Sequence, residues 1–340
     1  MANVLVEEQY LSDIGSAIRT KNGLTTTYMP SQMPAAISGI TLVNGSLTTD
    51  MIASKNLPSI LSGNATFISA EAFKFCRTIN SVSFPKCESI SYCAFSGCSN
   101  LITTSFPKCK SIDYFAFLDC TTLISASFPE CEYLSNSAFA HCSSLTTISF
   151  PKCSVVGAYA FCSCKVLTIA NFPSCISIYS YAFSSCGSLQ TASFPMCTII
   201  GSSAFLQCSL LSTISFPNCT TINSSAFMSC KSLTTISFSK CVSIGSYAFA
   251  WCNYITTANF NVCTSIAAQA FQGCYRLISL YLTNVSQVPS LGTNVFSNTP
   301  IGGYSTYAGQ YGNVFVPASL YNAFITATNW TAISSRIVSI

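Results

Sequence analysis

Cysteine is the first residue type in this chain whose spacing could carry chemistry. There are 21 Cys, and nineteen of them recur every eleven residues from Cys76 to Cys274; only Cys93 and Cys162 fall outside that ladder. Thiolates hold metals where they cluster or are joined by histidine. A strict eleven-residue period spreads them instead, and the chain has one His. If equivalent cysteines stack on adjacent turns of a repeat, their side chains run parallel, which opposes the crossed geometry of a disulfide. Reduced structural thiols are expected, with no metal and no cofactor. The second constellation is Asp119, His141 and Ser163, spaced by 22 residues. These are the residue types of a hydrolase triad. The same position elsewhere holds Gly97, Ser185, Gln207, Ser229 and Trp251, so it varies freely, and no pair of oxyanion donors is evident. A non-enzymatic chain is expected.

The elements that position these residues follow from a second ladder. Phe occurs every eleven residues from Phe73 to Phe271, nineteen times, each three residues before a Cys and six before an aliphatic such as Ile79, Ile90 or Leu101. Alternate halves differ. One reads Phe-Pro-x-Cys, as at Phe84 to Cys87 and Phe150 to Cys153; the other reads Ala-Phe-x-x-Cys, as at Phe95 to Cys98 and Phe161 to Cys164. The unit is therefore 22 residues. An eleven-residue apolar period also describes a helical supercoil, but prolines such as Pro85, Pro107 and Pro151 would each cost about 3 kcal/mol inside a helix.

One unit reads Leu145-Thr-Thr-Ile148-Ser-Phe150-Pro-Lys-Cys153, the pattern L-x-x-L-x-L-x-x-C of a leucine-rich repeat. Ile148 and Phe150 are two apart on a strand, so both should point inward while Ser149 points out. Pro151 ends the strand and Cys153 fills the bend. The Ala-Phe half must return the chain through a tight turn or a short 3-10 segment. The expected fold is a right-handed leucine-rich-repeat solenoid, with a parallel β-sheet on one face and turns on the other. Stacking supplies its stability, since no unit can bury its apolar face alone.

The runs Ile244-Gly245-Ser-Tyr-Ala248-Phe249-Ala-Trp-Cys252 and Val156-Gly157-Ala-Tyr-Ala160-Phe161 resemble the BspA-like class of bacterial leucine-rich repeats over residues 57 to 340. That resemblance implies a surface protein engaged in adhesion. Within it, residues 57–276 read as ten repeats and 277–340 as a degenerate repeat with a C-terminal cap. Leu57-Pro-Ser-Ile60 reads as a first unit in register, with Ser62 in place of the strand Phe. In the cap, Val314 to Leu320 reads as a strand entering a short helix that ends near Trp330, and Ile333 to Ile340 as a last strand.

Residues 1–40 lie outside the register, and 41–56 read as a linker and first-coil cap. Leu11, Ile14, Ala17 and Ile18 share one face of a short helix stopped at Asn22-Gly23; Met33, Ala36, Ile37 and Ile40 share the face of a second. With Tyr28 and Pro30 they resemble a short module of tail and structural proteins from phages of Gram-positive bacteria. On that resemblance Leu11, Ile14, Ile18, Met33 and Ile37 are the attachment residues, and phage tail components are partners. A simple N-terminal cap is the other reading.

Composition excludes several classes. Charged residues make up only 7% of the chain, and the net charge is +4. The dispersed Lys and Arg do not form the basic patch that nucleic-acid binding needs. No apolar run approaches the roughly 18 residues of a membrane span. The first fifteen residues lack a basic segment followed by an apolar one, so they do not read as a secretory signal. The chain is expected to be made in a host cytoplasm and carried on a virion, with the bacterial cell surface as the alternative. Two faces could meet a host glycan or protein. Ser81, Thr103, Ser105, Thr147, Ser149, Thr191 and Ser193 belong to an outward hydroxyl sheet that could meet glycans or order water as ice-binding solenoids do. Tyr92, Tyr114, Phe115, Tyr159, Tyr181, Tyr247 and Trp251 gather beside the Ala-Phe halves, and such aromatics anchor interfaces. The aromatic edge is the preferred partner surface.

Overall fold

The Phe-to-Cys spacing of three is the spacing of a β-turn, and it sets the shape of every coil. In a computed structural model describing residues 40–42, 45–46, 59–304 and 309–340, the Cys153 amide donates to the Phe150 carbonyl at 3.3 Å and the Cys142 amide to that of Phe139 at 3.3 Å. Proline in the Phe-Pro halves occupies the second turn position, where its fixed φ is pre-set. A coil thus runs as a three-residue strand such as Thr147–Ser149, a Phe-Pro turn, a two-residue strand such as Val155–Val156, and a chain of turns through Ala160-Phe161. About 13 such turns form a parallel β-solenoid. The two helices expected over residues 11–37 lie outside the described residues, while Ile40, expected on the second of them, opens strand Ile40–Leu42 instead. Among the described residues no helix is long and apolar enough to cross a membrane.

Every ladder residue singled out above is interior: Phe84, Cys87, Phe95, Cys98, Phe150, Cys153, Phe161 and Cys164 are all buried. The phenylalanines form two columns. Within a column the rings stack nearly parallel, as for Phe117 and Phe139 at 4.9 Å and 6°. Across columns they meet edge to face, as for Phe139 and Phe150 at 5.8 Å and 68°. Both arrangements are favoured by the ring quadrupole and add about 0.5–1.5 kcal/mol per pair beyond burial.

The two sheets differ. The two-residue strands from Phe67–Ile68 to Ser290–Leu291 join in one unbroken eleven-stranded sheet. The Thr/Ser strands are interrupted three times: after Thr103–Ser105, after Thr147–Ser149 and after Thr213–Ser215. Bonds of 2.9–3.0 Å run from the amides of Phe84, Phe128, Phe172, Phe194, Phe238 and Phe260 to the next coil, and the Phe106, Phe150 and Phe216 amides make no equivalent bond. The central residues at these seams, Thr104, Ile148 and Ile214, are correspondingly only partly covered. The outward hydroxyl face is therefore divided, and exposed Ile169 stands within it.

The first coil corrects the expected register. Ile60 pairs with Ser81 and Leu61 with Val82, so the spacing there is 21 residues. Leu61 is buried while Ile60 is 57% exposed, because a one-residue shift turns a strand over. Antiparallel pairing of Ile40–Leu42 with Ile60–Gly63 covers the first edge. At the other end, strand Asn313–Val316 leads through a 3-10 turn into helix Tyr321–Thr326. The last strand is shorter than expected, Ile337–Ser339, since Thr331–Arg336 forms 3-10 turns. Trp330 is fully buried and its Nε1 donates to the Pro289 carbonyl at 2.8 Å, pinning the cap to the last coil.

Candidate functional site

The Ala-Phe halves carry a backbone device that periodicity did not reveal. The residue before each Ala and the residue before each Cys adopt left-handed conformations, with φ near 60°: Tyr159 and Ser163, Tyr181 and Ser185, Tyr247 and Trp251. Each such residue costs roughly 1–2 kcal/mol. The amide at each position donates to the next coil, as from Tyr181 to Ser202 at 2.9 Å and from Ser185 to Leu206 at 2.8 Å. A net bond of about 1 kcal/mol offsets most of that cost. Sterics exclude β-branched residues from this region. Although the chain is rich in Thr and Ile, the non-glycine residues in these two columns include no Val, Ile or Thr. Otherwise the columns accept Glu, Cys, Phe, Ser, Tyr, Gln, Asn, Asp, His and Trp. The core is fixed and this edge is free to vary.

The seven aromatics named from sequence fall in three columns. Phe115, Tyr159, Tyr181 and Tyr247 hold the first left-handed position and Trp251 the second, while Tyr92 and Tyr114 lie one residue earlier. Phe115 is buried and the others are half-buried. They pack on one another: Tyr159 stacks on Tyr181 at 4.7 Å and 7°, and Tyr92 meets Phe115 edge-on at 5.9 Å. Tyr133, Ile176, Tyr179 and Ile199 are exposed along the unbroken sheet and were not anticipated.

The Asp119, His141 and Ser163 set is partly assembled. His141 Nδ1 lies 3.0 Å from Asp119 Oδ1. The Ser163 hydroxyl lies 3.8 Å from Cys162 Sγ. The amides of all three donate to the next coil, at 3.0, 2.8 and 2.8 Å, so none is available as an oxyanion donor. Among the described residues, no group of three His, Cys, Asp or Glu is placed to hold a metal.

All 21 cysteines are free thiols. In the Ala-Phe halves from Cys98 onward each Sγ donates to the previous coil, as from Cys164 to the Phe139 carbonyl at 3.2 Å. In the Phe-Pro halves it donates two residues onward, as from Cys153 to the Val155 carbonyl at 3.1 Å. Burial pushes the Cys87 and Cys153 thiols up to about 11 and those of Cys109 and Cys197 up to about 12. Thiols this far above neutrality are neither nucleophiles nor metal ligands. The ladder is packing, with a hydrogen bond attached.

Acidic and basic residues are distributed unevenly along the chain. All ten acidic residues lie at or before Glu132, whereas Lys152, Lys165, Lys231, Lys240, Arg276 and Arg336 follow it. Lys152 is paired to Glu130 at 2.6 Å across the boundary. The C-terminal three-fifths of the solenoid is thus cationic with no acidic side chain to compensate.

Among solved structures, the chain is similar to a leucine rich cell surface protein from Faecalibacterium prausnitzii (20% identity, 81% of each chain covered, TM-score 0.34). A leucine-rich repeat protein from Bacteroides ovatus matches at 20% identity over 81% of this chain and 88% of that one (TM-score 0.34). Another, from Eubacterium ventriosum, matches at 16% identity over 73% and 84% (TM-score 0.44). None of the curated proteins compared with the chain matches it. The profile described as "BspA type Leucine rich repeat region" matches six copies, over residues 66–190 and 176–302. The matched residues take in most of the 22-residue coils described above, and the chain belongs to the BspA type leucine-rich repeat family.

Proposed function

We propose that this protein is a non-enzymatic recognition scaffold that displays a partner-binding edge along its Ala-Phe halves. A repeat protein of this type is suited to protein interaction or adhesion. The observation that carries the reading is the contrast between the unvarying Phe and Cys ladders and two left-handed columns that hold ten side-chain types besides glycine. Tolerance at fixed geometry lets the chemistry of an edge change while the fold does not. The stacked pair Tyr159 and Tyr181 is the central aromatic anchor of that edge. The test is binding of the labelled full chain to intact bacterial cells, beside a Tyr159→Ala, Tyr181→Ala variant of matching circular dichroism. Loss of binding supports the reading; undiminished binding by variants throughout both columns would sink it.

The finer part of the proposal is carriage on a phage tail through residues 1–40, with a host-surface glycan or protein as the receptor. Its support is the sequence resemblance of that segment, of which residues 1–39 lie outside the described residues. Deleting residues 1–40 should leave the circular dichroism of the repeats intact while abolishing co-purification with tail components. A truncated chain whose repeats unfold, or a full chain that never co-purifies with a tail component, would remove the phage reading and leave the segment as a cap.

A further inference from the structure

At the C-terminal end, four adjacent strands receive an alternating row of aromatic and cationic side chains. Tyr254 stands three residues before strand Thr257–Asn259, and Arg276 three before Ser279–Tyr281. Tyr311 stands two before Asn313–Val316, and Arg336 one before Ile337–Ser339. These strands pair in that order. The Arg276 guanidinium lies 4.3 Å from the Tyr254 ring centroid, and that of Arg336 lies 4.0 Å from the Tyr311 centroid. Tyr254 and Tyr311 are each about half exposed. A guanidinium held against a ring keeps N–H groups free to act as a fork that fits a carboxylate.

Charge decides what such a row can receive. No Asp or Glu occurs after Glu132, so neither guanidinium has an acidic side chain of its own coil or its neighbours to pair with. Two cations in a row are few for a phosphodiester strand, whose binders typically neutralise several phosphates. The neighbouring outward residues Thr257, Asn259, Ser279 and Asn313 are neutral hydrogen-bonding groups. Sparse positive charge, aromatic faces and neutral polar groups together match a sugar polymer that carries one carboxylate per residue. Its ring C–H faces can lie on the tyrosines, its carboxylates can meet the guanidinium edges, and its hydroxyls can meet the strand.

We infer that Tyr254, Arg276, Tyr311 and Arg336 form a binding row for an acidic, uronate-type glycan. This rests on the recognition-scaffold reading and names the ligand class and its place on the solenoid. The test is calorimetric titration of the full chain with polygalacturonate, neutral dextran and poly(dT), supported by the fluorescence of Trp251, whose indole lies 6.2 Å from Tyr275, the residue before Arg276. Polygalacturonate should bind, more weakly as salt is raised, and dextran at least tenfold more weakly. Arg276→Gln should cost about tenfold or more in affinity, and Arg276→Lys should restore only part of it, because a point charge lacks the fork. Lys110→Gln, which removes a cation paired to Glu88 at 3.0 Å far from the row, should leave affinity unchanged. Absence of polygalacturonate binding, equal loss in the Lys110 variant, or tighter binding of poly(dT) would each overturn the inference. The scaffold reading would survive those results if cell binding through Tyr159 and Tyr181 persisted.

Discussion

The indole of Trp251 occupies the space that a β-carbon on Gly273 would need: such an atom would stand 2.4 Å from indole Cε3. Phe75 lies over Gly97 in the same way, at 2.3 Å. Both pairs are successive members of one left-handed column, so a large side chain there folds onto the next coil and needs glycine beneath it. Gly273→Ala should therefore displace the indole and destabilise the protein by about 1–3 kcal/mol, combining the clash with a φ of +71°. Thermal melts and Trp emission read both effects. An unchanged emission spectrum would place the ring elsewhere.

Thr104 occupies the inward strand position held in other coils by Val82, Ala126, Ile148 and Leu280. Its Oγ1 is buried with no hydrogen-bond partner. An orphaned hydroxyl costs about 1–3 kcal/mol, and valine is nearly the same shape. Thr104→Val should raise stability by about 1 kcal/mol or more in denaturant unfolding. A loss would mean that the seam beside this strand satisfies the hydroxyl.

Phe150→Ala, at the middle of a ring column, should cost about 3–5 kcal/mol, as other buried Phe truncations do. Ser149→Ala, one residue away and exposed on the outer face, should stay within about 0.5 kcal/mol. Comparable losses in the two variants would reverse the assignment of faces.

Alkali should unfold this protein in a characteristic window. Thiols of the unfolded chain release protons from about pH 9, whereas the buried ladder holds them toward 11 and 12. The unfolded state then binds fewer protons, so stability is complete below pH 9 and falls as pH rises through that interval. Each thiol raised in this way contributes about 1.4 kcal/mol of loss per pH unit. Melting temperatures measured from pH 7 to 11 should be level and then drop steeply. A flat profile past pH 10 would show that the thiols are accessible when folded.

Much of the fold was legible because the interior is so repetitive. Phe every eleven residues, Cys three later and Pro in alternate halves are enough to define turns, strands and a 22-residue coil. The sequence was misleading where one residue matters. Ile60 keeps the apolar spacing of Ile79 and Val82 by eye, but Leu61 is the residue that enters the core. Ile333 to Arg336 looked like strand and turned into 3-10 turns, because Trp330 anchors the chain just before it. The aromatic edge was only half readable. Its aromatics were visible as residue types, yet the left-handed backbone that presents them leaves no signal except the missing Val, Ile and Thr. The Tyr254 to Arg336 row depends on strand pairing across an irregular stretch, by which Ser279 meets Asn313 rather than the residue 22 later.

Each coil offers the next the same surface that it receives from the last. Residues 167–188, for instance, begin and end at equivalent points of the cycle, so their excision would bring Val166 to Leu189 where Val166 now meets Leu167. Both sheets, both ring columns and both thiol ladders would close over the gap without a changed contact type. Unequal recombination between the stretches of gene that encode such repeats would shorten or lengthen the protein by whole coils while keeping its two ends. Reach is thus a quantity that heredity can adjust in steps, separately from the side chains displayed along the edge.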